Sequence, residues 1–196
     1  MTAVARDGGS AASAPPTAWS MLAPPGWQRH RADELLQGNP LADFEQQARD
    51  AGRADLVLQA RSMTAELRSS VREGRVIEMY LPATLDAVEA APGSLTIALY
   101  RTEEGVTPAA AVARIAKGRA VDQVDDAGAL HYRFRAETAR YGTEGLHASH
   151  TLAVFPRPGA AGGLLATFTA LHDGGGADAV LALGDIMLAS LTWRTP

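Results

Sequence analysis

Residues 130–155 constrain the fold more tightly than any other stretch of the chain. Within Leu130–Tyr141, Leu130, Tyr132, Phe134 and Ala136 fall on one side of an extended backbone, and His131, Arg133, Arg135 and Glu137 fall on the other. That period of two belongs to a strand. Tyr141–Gly145 turns the chain and Leu146–Phe155 returns, so the segment reads as a hairpin. Its expected register sets Ala136, Phe134 and Tyr132 opposite His150, Leu152 and Val154, and brings Arg133, Arg135 and Glu137 near Ser149 and Thr151. A slip of one residue would exchange the two faces, which pins the register.

The C-terminal end supplies the cover such a sheet needs. Leu164–Leu171 is an apolar run bounded by Gly162-Gly163 and by His172-Asp173-Gly174-Gly175-Gly176, and reads as a mostly buried strand. Beyond the glycines, Val180, Leu183, Met187 and Leu191 recur at helical spacing, with Ile186 and Leu188 widening the stripe toward the core. Asp178 suits the positive end of that helix. Trp193 closes the chain, its ring expected to be buried and its N–H wet.

On the N-terminal side, residues 1–18 hold too few large apolar groups to offset their ordering entropy and read as a disordered leader. Trp19–Trp27 is the first folded stretch, with Pro24-Pro25-Gly26 forcing an extended segment and a turn. Gly38-Asn39-Pro40 marks a helix start, with Asn39 as cap and Pro40 at the first helical position. A second helix runs from about Arg53 to Glu73, striped by Leu56, Ala60, Met63, Leu67 and Val71, with Gly74 just past its end. Strands follow at Arg75–Leu81 and Ser94–Thr102, separated by a loop at Pro82–Gly93. Thr107-Pro108 opens a short helix, and a strand near Val121–Val124 leads into the hairpin. Strands joined by hairpins, with helices before and after, imply an α+β fold whose antiparallel-rich sheet is covered by helices. With 196 residues and 46% hydrophobic composition, residues 19–196 are expected to form a single domain.

Several function classes are disfavoured. A net charge of −4 does not provide the basic face that nucleic acid requires. No apolar run approaches the roughly 20 residues of a membrane helix, and a cytoplasmic protein is expected. There is no cysteine for a disulfide or a thiolate site. No phosphate-binding loop, dinucleotide fingerprint, nucleophile elbow or zinc-helix motif occurs. Gly174-Gly175-Gly176 opens a helix, yet Asp173 and Asp178 beside it would repel an anion. His147 and His150 lie on opposite strand faces, so no shared metal is expected, and His150 reads as a hydrogen-bonded core or rim histidine. Asp125-Asp126 reads as a turn. No catalytic residue, metal or cofactor is assigned.

Arg133, Arg135, Glu137, Ser149 and Thr151 form the coherent polar constellation, and they are the candidate binding residues. A solvated sheet face or a polar layer under a helix would explain the same pattern. Glu137 could neutralise Arg135 as its neighbour along the strand. The functional reading is a non-enzymatic binding or adaptor module with a protein partner and without nucleic acid or membrane. The alternative is a small-molecule-binding domain or an enzyme of unrecognised type.

Pro24-Pro25-Gly26-Trp27, Ala166-Thr167-Phe168-Thr169 and the run Asp185–Trp193 together carry a resemblance. The chain resembles a group of actinobacterial proteins whose architecture is similar to the Mog1/PsbP-like α/β/α sandwich, over residues 19–194. The resemblance implies an antiparallel sheet between helices and a history of adaptor roles, such as binding a small GTPase or assisting a photosystem. This chain departs from the lipoprotein members in having no cysteine to lipidate, and it has no evident acidic cluster for a GTPase.

Overall fold

The structure, a computed structural model, describes residues 18–194 except 74–75, 104, 127–128, 142–145 and 173–176. For residues 59, 62, 63, 66, 70, 126, 129, 130, 137–141 and 146 it describes the backbone alone. The expected leader, apart from Ala18, therefore lies outside the described residues. So do Gly74, the 142–145 turn and the 173–176 glycine run.

The chain begins with β1 (Ala18–Ser20) and β2 (Trp27–Arg31), followed by α1 (Ala32–Gln37), α2 (Ala42–Asp50) and α3 (Ala54–Arg72). Next come β3 (Glu78–Pro82), α4 (Leu85–Ala90), β4 (Gly93–Tyr100) and α5 (Pro108–Ala116). Four strands follow: β5 (Asp122–Asp126), β6 (Ala129–Tyr141), β7 (Leu146–Pro156) and β8 (Gly163–His172). The last elements are α6 (Ala177–Ala189) and β9 (Thr192–Arg194). The main sheet has seven strands in the order β2-β3-β4-β8-β7-β6-β5, every neighbouring pair antiparallel. This is the α+β architecture expected, an antiparallel sheet with helices over both faces.

The hairpin register is the one the alternation required. Tyr132, Phe134 and Ala136 pair with Val154, Leu152 and His150, and Arg135 and Glu137 pair with Thr151 and Ser149. One face of the sheet carries Leu95, Ile97, Ala153, Phe155, Leu164, Ala166 and Phe168, and α6 packs on it through Val180, Leu181, Met187 and Leu188. The other face is covered in two places. Leu35, Phe44, Leu67 and Val71 from α1–α3 meet Met79 and Leu81, while Val112 and Ala116 from α5 meet Tyr132, Phe134 and Val154. Gly184 lets α6 approach so closely that a Cβ there would stand 2.3 Å from Phe168 Cδ1.

Some expectations need correction. The second helical element starts at Ala42 rather than at Asn39-Pro40. Asn39 instead braces the turn before it, with Oδ1 accepting from Leu41 N–H at 3.1 Å and Nδ2 donating to Glu45 Oε1 at 2.9 Å. The loop expected over Pro82–Gly93 contains α4, begun by Thr84, whose Oγ1 accepts from Ala87 N–H. The helix buries no residue, so no apolar period betrays it. α1 was likewise not expected, since its six residues bury Leu35 alone. Trp19–Trp27 divides between two sheets: β1 pairs with β9, and β2 with β3. Trp193 N–H is not left to water; it donates to the Pro156 carbonyl at 3.0 Å. Ile186 points away from the core and is 65% exposed.

Candidate functional site

α6 decides what becomes of the polar side of the β6–β7 hairpin. Gly184 seats the helix on Phe168, and the next residue, Asp185, then reaches toward β6. Arg135 donates to Asp185 Oδ2 at 3.0 Å, and Arg133 stands 3.5 Å from Oδ1. The second contact is an ion pair and not a hydrogen bond, and Oδ1 has no hydrogen-bond partner among the described residues. Arg133 and Arg135 are i and i+2 on one strand face, about 7 Å apart along it, so a single carboxylate between them serves both incompletely.

These arginines line a cleft of about 500 Å³ at the edge of the sheet, together with Arg119, Ala120 and Asp122. Asp122 is the register partner of Arg133 across β5 and β6. Arg119 spends one N–H on the Ala116 carbonyl at the end of α5. Among the described residues, three guanidiniums thus stand beside two carboxylates. Arg135 keeps 55% of its side chain exposed and Arg133 31%.

The expected constellation divides as follows. Arg133 and Arg135 converge, but on Asp185 rather than on Glu137, whose side chain lies outside the described residues. Ser149 is buried, and its Oγ lies 2.9 Å from His172 Nε2. Thr151 is fully buried, and its Oγ1 has no hydrogen-bond partner among the described residues. The polar layer under a helix is therefore the reading that Ser149 and Thr151 obey, whereas the two arginines remain reachable. His147 and His150 do lie on opposite faces. His147 stacks on His172, its register partner, with centroids 5.7 Å apart. His150 Nδ1 meets Thr169 Oγ1 at 3.0 Å, and burial holds its pKa below the ordinary histidine value. No group of three or more metal-ligating side chains occurs among the described residues.

Asp185, Arg119 and Asp122 were missed. Asp185 had a readable signal, being an acid set within the apolar run Ala179–Ala189, where an unpaired charge would be costly. Two buried carboxylates elsewhere, Glu78 and Glu45, are committed to structure. Glu78 accepts from Tyr80 OH at 2.7 Å and from Arg29, joining β3 to β2. Burial, then the bond to Glu78, pushes the Tyr80 hydroxyl far above its ordinary pKa. Glu45 is 4% exposed and is gripped by Asn39, Arg49 and Arg61. Its pKa is lowered by the Asn39 bond first and the arginines after it. A second cleft of about 370 Å³ beside it is lined by Arg61, Thr64 and Arg68, among others.

No protein-family model matches the sequence, and no curated protein does. Among solved structures, the fold is similar to that of the cyanobacterial PsbP protein CyanoP from Synechocystis, with 13% identity and a TM-score of 0.45. That alignment covers 90% of this chain and 86% of the other. A protein from Bacteroides thetaiotaomicron is similar at 11% identity and a TM-score of 0.44, over 90% of this chain and 45% of that one. No helix of the described residues is long and apolar enough to cross a membrane.

Proposed function

We propose that the chain is a non-enzymatic binding module that receives a carboxylate-bearing protein segment at the cleft of Arg119, Arg133 and Arg135. One observation carries this reading: two half-open guanidiniums on one strand share a single carboxylate, Asp185, and serve it incompletely. Guanidiniums stay charged at any working pH, so they grip planar acids rather than move protons. A second carboxylate could take the donors that Asp185 leaves free.

Replacing Arg133 and Arg135 together with Ser tests the proposal, with melting temperature and recovery of a partner from the native cell extract as readouts. Lost partner at unchanged stability is the expected result. If melting falls by several degrees, the arginines belong to the packing and the cleft is no site. A second reading follows from the cleft's volume, which falls in the range of small-molecule pockets. A dicarboxylate or other metabolite that raises the melting temperature, with no protein recovered, would favour it.

A further inference from the structure

One row of side chains runs beneath α6 from the core to the arginine cleft. Phe168 on β8 is the register partner of Thr151 on β7, and Thr151 is the register partner of Arg135 on β6. Directly opposed side chains share a sheet face and stand about 5 Å apart at Cβ. Consecutive residues of α6 reach the two ends of this row. Gly184 lies on the Phe168 ring, and Asp185 Oδ2 accepts from Arg135 at 3.0 Å. Thr151 is the middle member, so it lies under the span from Gly184 to Asp185. Two polar atoms are left over in this covered layer. Thr151 is 0% exposed, and its Oγ1 has no hydrogen-bond partner among the described residues; Asp185 Oδ1 is buried and also lacks one. One is a hydroxyl with its proton unspent, the other a carboxylate oxygen with its lone pairs unfilled, and a buried group left so is costly.

We propose that Thr151 is a positioning residue of the arginine cleft: its hydroxyl receives Asp185 when a partner's carboxylate takes Arg133 and Arg135. The inference rests on the carboxylate-binding reading above. In the free chain Asp185 occupies the partner's place, holding Arg135 by a hydrogen bond and Arg133 by charge alone. An incoming carboxylate brings a second negative charge to the same two guanidiniums, and the like charges repel. Asp185 cannot withdraw with its backbone, because Gly184 is seated against the fully buried Phe168. Rotation about its side-chain torsions is the motion left to it. A carboxylate that gives up Arg135 in a buried layer needs another donor. Ser149, the next polar side chain on this face of β7, is already paired with His172 at 2.9 Å. Thr151 is the member of the row whose O–H is uncommitted. The exchange transfers no proton: Arg135 trades Asp185 for the partner, and Asp185 trades Arg135 for Thr151.

An oligoglutamate peptide titrated into the full chain tests this, with affinity and melting temperature as readouts. Thr151→Val keeps the side-chain shape and removes the hydroxyl. Since that hydroxyl has no partner in the free chain, the melting temperature should stay level or rise. Peptide binding should weaken about fivefold or more. Thr151→Ser, which keeps a hydroxyl, should restore it. In a chain carrying Asp185→Asn the competing charge is gone, and adding Thr151→Val should change affinity by less than about twofold. Thr151→Ala repeats the series should the valine chain misfold. Equal weakening with and without Asp185→Asn overturns the proposal, because Thr151 would then act on the peptide or the packing directly. So does binding that Thr151→Val leaves unmoved. A melting temperature lowered by several degrees overturns it too, since the hydroxyl would then be bonded through a water in the free chain. If the unaltered chain takes no oligoglutamate, the cleft reading fails and this inference with it. Binding that is lost on Arg133→Ser with Arg135→Ser but is indifferent to Thr151 sinks this inference alone.

Discussion

Gly184 lies against the ring of Phe168 so closely that a methyl group there would stand 2.3 Å from Cδ1 and 2.5 Å from Cγ. Phe168 cannot step aside, because it is fully buried and its other neighbours include Trp27, stacked at 6.1 Å and 18°. Gly184→Ala should therefore destabilise the fold by about 1–3 kcal/mol, the ordinary cost of overpacking a filled core. Urea denaturation would measure it. Phe168→Leu in the same chain should recover part of the loss, and a purely additive pair would contradict the contact.

The Arg29–Glu78–Tyr80 group gives a second expectation. Glu78→Gln weakens the acceptor for both partners inside the sheet and should cost about 1–3 kcal/mol. In a cycle with Tyr80→Phe, the two substitutions should be coupled by about 0.5 kcal/mol or more. Independent effects would mean that the hydroxyl and the carboxylate do not sustain one another.

Acid stability should show two stages. His30 and His150 both have their pKa lowered by burial, His30 against a smaller opposing pull from Glu34. A base whose folded pKa is depressed binds its proton more readily when unfolded. Its share of stability is thus whole above about pH 6.5 and is lost as the pH falls from there through the folded pKa. Melting temperature should decline on acidification from neutral pH, and His150→Gln, which can keep a hydrogen bond to Thr169, should flatten the decline. Glu45, with its folded pKa also lowered, holds its contribution down to the ordinary glutamate pKa and loses it as the pH falls from there through the folded value.

Asp185→Asn offers a fourth test. Its pairs are partly exposed, so their loss should cost less than about 1 kcal/mol. The same change removes the carboxylate that competes for Arg133 and Arg135. Titration with an acidic peptide should therefore show tighter binding to the variant; weaker binding would mean that Asp185 organises the cleft rather than occupying it.

How far the sequence is legible depends on the range of the interaction. The β6–β7 register could be read because alternation is local and a slip is penalised at every residue. The helical stripes of α3 and α6 were visible for the same reason. α1 and α4 were not, since one buried leucine in the first and none in the second leave no period to detect. Arg133 and Arg135 could be placed on one face, but their partner lies 50 residues beyond Arg135 in a largely apolar helix, outside any local pattern. Ile186 was assigned to the core because apolar residues on both faces of a helix widen the stripe without saying which side is buried.

The β1–β9 ladder pairs Ala18 with Arg194 and sets Trp19 edge-on to Trp193 at 6.3 Å. On the ribosome, therefore, Trp19 emerges early and has no mate until some 170 residues later, when Trp193 clears the exit tunnel. Every pair of neighbours in the separate seven-stranded sheet can form sooner. The closing of this two-stranded ladder is thus a late event, and a nascent chain halted before residue 192 should leave Trp19 more open to quenchers than the closed ladder does.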